Sequence, residues 1–137
     1  MFLSEEDYKI VIDDKAFDII SQSDQTSVGK AEETAIEEIS SYLRGRYNVA
    51  DVFSSEGEER NAIIVMFCAD ITLYHLISST PGKMGLEIRE KRYERAVEWL
   101  QGVQGGKIVP DLPGAQDDSG ENILSTSWGN SDNKQAW

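Results

Sequence analysis

RNAIIVMFCADITLYHLISS, residues 60–79, is the stretch of this sequence that decides its fold. From its third residue to its eighteenth, only Asp70, Thr72 and His75 fall outside the hydrophobic class. A surface helix carries one apolar stripe, whereas a helix that is apolar nearly all round is enclosed by other elements. At about twenty residues the stretch could nearly span a bilayer, but charged and polar side chains interrupt it. It therefore predicts the central helix of a soluble helical domain.

A long amphipathic helix is predicted before this stretch, over residues 27–47. Its apolar residues recur four apart, which places them on one face of a helix. These residues are Ala31, Ala35, Ile39, Leu43 and Tyr47. Its acidic residues are expected on the opposite, solvated face. They are Glu32, Glu33, Glu37 and Glu38.

Local signals predict the other helices. Ser4 and the Asp13–Asp14 pair offer N-caps for two short helices or one kinked helix. A last helix is expected over residues 86–104, ended by two glycines, and residues 48–57 are expected to form a loop. The predicted fold class is all-α, a bundle of about four to five helices around the helix at residues 60–79.

The composition changes after residue 109, and this change predicts a domain boundary. Residues 1–109 are predicted to form the helical domain, and residues 110–137 an extended or disordered arm rich in Gly, Ser, Asn, Gln and Asp. Large apolar residues stand out in this arm, and Trp is enriched at binding hot spots. We hypothesise that these residues bind a partner, although they could also fold back onto the body or be incidental. They are Ile123, Leu124, Trp128 and Trp137.

The formal net charge of −12 narrows the possible partners. Binding to phosphates needs clustered Lys and Arg, so nucleic-acid binding and anionic membrane surfaces are both disfavoured. No N-terminal secretion signal is recognised in the sequence, so the expected compartment is a reducing cytoplasm.

The spacing of the side chains that could take part in catalysis does not indicate an active site. Cys68 and His75 are seven residues apart, or about 10.5 Å along a helix, too far for a nucleophile and its base. One histidine excludes a multi-histidine metal site within one chain, and His75 is interpreted as a core or interface residue. Asp70 is expected to form a structural ion pair with an arginine. The candidate arginines are Arg44, Arg46, Arg89 and Arg92. We expect no enzyme activity, no metal and no cofactor.

Four motifs in a fixed order give the chain a family resemblance. They are YLRGRY at residues 42–47, CADITLYHL at 68–76, RYERAVEWL at 92–100 and GKI at 106–108. Together they resemble the small head-completion or head–tail connector (adaptor) proteins of tailed bacteriophages, the kind encoded in Mu-like prophages. The resemblance covers roughly residues 2–113. Some relatives carry an Asp-rich, calcium-loop-like stretch before the long helix, which residues 23–29 lack, so no metal is expected.

The resemblance implies a structural virion protein at the neck, made in the host cytoplasm. Its subunits would assemble with themselves, as a dodecamer, into a ring under the portal protein. The ring would extend the DNA channel, without binding DNA specifically, and dock a stopper or tail-completion protein. The acidic helix face at Glu32, Glu33, Glu37 and Glu38 could line that channel, since negative walls repel phosphates, but an outer surface would explain it equally well.

Two other classes of function remain open from the sequence. An enzyme, the less favoured of the two, would need a polar pocket built across chains, since none can be assembled within one. A cytosolic adaptor or regulator could use the Trp-bearing arm as its binding peptide. Such a protein would stay a monomer or dimer and form no ring.

Overall fold

The computed structural model describes residues 2–21, 25–78 and 85–115. Within these ranges the elements are α-helical apart from one 3₁₀ turn at Gly57–Glu59, with no β-strand among them, so the predicted all-α class is confirmed. The helices are α1 (Glu5–Tyr8), α2 (Asp14–Ser21), α3 (Gln25–Leu43), α4 (Val49–Ser54), α5 (Ala62–Ser78) and α6 (Leu86–Gln104). None of them is long and apolar enough to cross a membrane.

Helix α5 is the centre of the bundle, as its sequence predicts. The Asn61 side chain starts it by accepting hydrogen bonds from the backbone N–H groups of Ile63 (3.0 Å) and Ile64 (3.1 Å). Its most extensive packing is against α3 and α6, with α1 and α2 also in contact. Eleven of its seventeen residues are buried, around most of its circumference. A helix enclosed in this way must be apolar on nearly every side.

Helices α3 and α6 pack their apolar faces onto α5. The five residues of the predicted α3 stripe are all buried. Helix α6 begins and ends where the sequence predicts, and Gly106 (φ 83°) lets the chain reverse after it. The turn then brings Ile108 against Gly102, whose missing side chain leaves the space that Ile108 fills.

Two local predictions were wrong. Helix α3 ends at Leu43 and not near Tyr47, and part of the expected loop forms helix α4. The Asn48 side chain caps α4 by accepting a hydrogen bond from Asp51 N at 3.1 Å. Phe53 of α4 packs edge-on against Phe2, with ring centroids 4.9 Å apart. This tertiary contact stabilises a helix too short to form alone.

The chain beyond residue 109 begins by running back along the body. The backbone N–H of Asn48 donates to Pro113 O at 2.8 Å, and Ala115 N donates to Arg46 O at 3.0 Å. Tyr47 and Gly114 form an isolated antiparallel bridge. Residues 111–115 are therefore attached to the helical body, while the boundary at residue 109 stays a prediction.

Candidate functional site

The buried Asp70 is paired with arginines of α6, as predicted. Arg92 Nε donates to Asp70 Oδ1 at 2.6 Å, and Arg89 Nη1 lies 3.9 Å from the same oxygen. Arg89 is itself buried and donates from Nη2 to Val11 O at 2.9 Å. Burial raises the pKa of Asp70, while the two arginines act to lower it. The group ties α5, α6 and the N-terminal segment together, which is a structural role.

The other two candidate arginines, Arg44 and Arg46, are not buried partners of Asp70. Arg44 makes a bidentate surface pair with Glu37 at 3.1 and 3.2 Å, and its side chain is 56% exposed. Arg46 donates from Nε to Gln104 O at 3.3 Å. Because α3 ends at Leu43, both arginines lie beyond the end of the helix.

The burial of Glu32 contradicts the prediction that all four acidic residues of α3 lie on a solvated face. Only 2% of Glu32 is exposed, and its carboxylate accepts hydrogen bonds from Leu3 N (3.1 Å) and Tyr8 Oη (3.3 Å). The N-terminal segment folds over this side of α3 and covers the carboxylate. Burial raises the pKa of Glu32, and the two hydrogen bonds oppose that rise. Glu32 therefore cannot line a DNA channel.

Glu38 is also removed from the open acidic face, because it joins a half-buried cluster with His75 and Tyr93. His75 Nε2 lies 2.9 Å from Glu38 Oε1, and Tyr93 Oη donates to Glu38 Oε2 at 2.5 Å. The ring of Tyr74 stacks on that of Tyr93 at 4.2 Å. The hydrogen bonds from His75 and Tyr93 lower the pKa of Glu38 despite its partial burial. This cluster joins α3, α5 and α6 at the surface.

Glu33 and Glu37 are the members of the predicted face that remain exposed. Glu37 is partly neutralised by Arg44. The exposed acidic surface of α3 is thus about half of what the sequence predicts. It can still repel phosphates wherever it meets DNA.

Cys68 has a structural role. Cys68 is fully buried in α5, and burial raises the pKa of its thiol. Its side chain is therefore held in the unreactive thiol form. Within residues 2–21, 25–78 and 85–115, no cluster of three or more His, Cys, Asp or Glu side chains could hold a metal ion.

An apolar surface groove is the main feature that the sequence does not reveal. We call it the Trp99 groove, and its volume is about 330 Å³. It lies between the first turns of α5 and the last turns of α6, with Arg95 and Glu98 at its rim. Its apolar lining consists of Ile63, Met66, Phe67, Trp99 and Ile108. Ile63 is 44% exposed, whereas the sequence pattern alone would assign it to the core.

The four predicted partner-binding residues of the arm lie outside the described residues. They are Ile123, Leu124, Trp128 and Trp137. Their role stays a hypothesis.

Comparison with family models shows that this chain is a phage protein. The match covers residues 2–125, nearly the whole chain, so the chain belongs to the family described as Bacteriophage Mu, Gp36. This membership makes it a phage structural or assembly protein associated with the virion. The match extends twelve residues beyond the limit of 113 expected from the motifs, but stops before Trp128. Comparisons with curated proteins and with solved structures gave no significant match.

Proposed function

We propose that this protein is a head–tail connector (adaptor) subunit. Its copies assemble into a ring under the portal, extend the DNA channel and dock a stopper or tail-completion protein. The observation that carries the proposal is membership of the Mu Gp36 phage family across residues 2–125. The proposal includes no catalytic step and no cofactor, and it assigns the ring to the neck of the virion.

The surface of the helical body supports a role in assembly. A closed ring requires a heterologous interface, in which one patch of each subunit meets a different patch of the next. Arg89 bonds to Val11 O, and this contact brings the neighbouring side chains Ile10 (66% exposed) and Ile88 (55% exposed) to the same end of the bundle. Exposed aliphatic residues at one end of a molecule are candidates for a protein interaction site.

The strong negative charge supports the proposed DNA passage. A conduit must let the duplex slide, and a net charge of −12 per subunit gives the ring a field that repels phosphates. Glu33 and Glu37 are the exposed α3 carboxylates available for the wall.

Light scattering and negative-stain imaging of the full chain, alone and with a Mu-type portal protein, test the proposal. We expect either a ring or a monomer that forms rings when the portal is added. The double variant Ile10→Ser/Ile88→Ser should assemble less than the wild type with unchanged helical circular dichroism. Val109→Ser, which also removes an exposed aliphatic side chain (56% exposed), is the matched control and should assemble normally. A stable dimer indifferent to the portal would favour the cytosolic adaptor instead.

A further inference from the structure

The Trp99 groove is apolar and open. Hydrogen bonds relate its position to that of Ala115, the last residue that the structure describes. Ala115 is bonded to Arg46, and Arg46 is bonded to Gln104 at the end of α6. Trp99 lies five residues before Gln104 on the same helix, or about 7.5 Å along its axis. These links place Ala115 at the same end of the bundle as the last turns of α6, which line the groove.

The residues that follow are long enough to reach it. Ile123 is eight residues beyond Ala115, and an extended chain advances about 3.3 Å per residue, or about 26 Å in all. Within residues 116–125, Ile123 and Leu124 are the only large apolar side chains. This segment is inside the family match, whereas Trp128 and Trp137 are beyond it.

The charges of residues 116–125 and of the Trp99 groove are complementary. Asp117, Asp118 and Glu121 precede the apolar pair. Arg95 lies at the groove rim and Lys107 adjoins Ile108, and neither forms an ion pair with another residue of the described chain. Glu98, on the same rim, offsets one of these two positive charges. An acidic stretch followed by two aliphatic side chains fits a groove with a positive edge.

We propose that residues 121–125 dock onto the helical body of their own chain, with the Ile123 and Leu124 side chains in the Trp99 groove. The contact covers Ile63, which is otherwise exposed, and Trp99, which is otherwise only partly buried. The proposal concerns the single subunit and does not depend on the connector role.

Trp99 reports directly on this contact. In the full chain with Trp128→Phe and Trp137→Phe, Trp99 is the only tryptophan. Adding Ile123→Ser/Leu124→Ser should shift its emission to the red and raise its quenching by acrylamide, because the groove opens to water. Adding Ile19→Ser, the control, removes an exposed aliphatic residue of α2 (52% exposed) and should change neither. Equal spectra for all three proteins would overturn the proposal.

A disulfide crosslink tests whether the segment that fills the groove belongs to the same chain or to a neighbouring copy. Ile63→Cys combined with Leu124→Cys should form a crosslink within one chain under mild oxidation, seen as altered mobility on a non-reducing gel. Ile19→Cys combined with Leu124→Cys is the control and should crosslink much less, while the buried Cys68 stays unreactive. A crosslink between two chains of different length would assign the groove to a neighbouring copy and contradict the proposal. Crosslinking no greater than in the control pair would also contradict it.

Discussion

Asp70 lies in the α5–α6 interface with 1% of its surface exposed, and it faces two arginines from the neighbouring helix. Removing one partner from a buried ion pair leaves an uncompensated charge, which costs far more than the pair itself contributes. Arg89 would be the charge left behind, and its Nη1 already lacks a hydrogen-bond partner among the described residues. The interface therefore depends on this carboxylate.

Asp70→Ala should lower the free energy of unfolding by about 3 kcal/mol, measured by urea denaturation. Arg44→Ala removes an exposed ion pair with Glu37 and is the matched control, with an expected loss within about 0.5 kcal/mol. A loss of less than about 1 kcal/mol for Asp70→Ala would show that water solvates the arginines in the folded protein.

Glu38 should make stability depend on pH in the acid range. Its folded-state pKa is lowered, chiefly by the hydrogen bond from His75, so its ionised form stabilises the fold. This contribution is complete above the unfolded pKa, near 4.5, and disappears as the pH falls through the lower folded pKa. Glu38→Gln mimics the protonated side chain at every pH. The stability difference between wild type and Glu38→Gln should therefore be largest above about pH 5 and shrink towards zero in stronger acid.

Chemical denaturation across that pH range measures the difference. Glu33→Gln is the control, since Glu33 is exposed and forms no ion pair with another described residue. A Glu38→Gln difference that stays constant with pH would argue against a lowered folded pKa.

At the scale of the helix, the sequence predicts α5 and α6 well because their signals are local. The apolar run of α5 and the glycines after α6 identify these elements without reference to the rest of the chain. Glu32 was misassigned because helical periodicity describes one helix, whereas its burial depends on a separate N-terminal segment that covers it. Helix α4 was missed for a related reason, although Asn48 followed three residues later by Asp51 is a cap signal that could have located it.

The candidate site was less predictable than the fold. Asp70 was correctly paired, because a buried carboxylate needs a cation, but the sequence offered four arginines and could not choose between them. The Trp99 groove depends on where α5, α6 and the turn to Ile108 meet. No periodicity in one helix reveals such a junction.

The turn after α6 provides a test of packing at the element scale. A Cβ at residue 102 would lie 2.6 Å from Ile108 Cδ1, which forces the isoleucine to move. Gly102→Ala should therefore lower stability by about 1 kcal/mol, despite the better helix propensity of alanine. In an Ile108→Ala background the clash is gone, and Gly102→Ala should raise stability by about 1 kcal/mol.

Thermal or urea unfolding of the four proteins in this cycle gives the coupling between the two positions. The sign reversal is the expected result. Equal effects of Gly102→Ala in both backgrounds would mean that Ile108 does not pack against Gly102.

For the whole molecule, charge is the property most relevant to the proposed ring. Glu33→Lys/Glu37→Lys changes the charge of each subunit by +4 on the exposed part of α3. Glu90→Lys/Glu94→Lys makes the same change on exposed α6 residues and is the matched control. If the α3 face lines the channel, the first variant should retain duplex DNA in the assembled ring in a salt-dependent manner, and the control should retain less.

Filter binding with assembled rings at several salt concentrations measures this retention. Equal retention by the two variants would show that the α3 carboxylates have no special role in DNA passage.

Arg60 and Asn61 are consecutive residues, and each holds one of the two outer segments of the described chain. Arg60 donates to Phe2 O at 2.8 Å and pairs with Asp7, while Asn61 donates from its side chain to Asp111 O at 3.2 Å. The two segments therefore share one anchor and should open as a single cooperative unit. In amide hydrogen exchange, Arg60→Ala should accelerate exchange in residues 111–115 as well as in residues 2–8. Acceleration of the N-terminal segment alone would show that the two segments open separately.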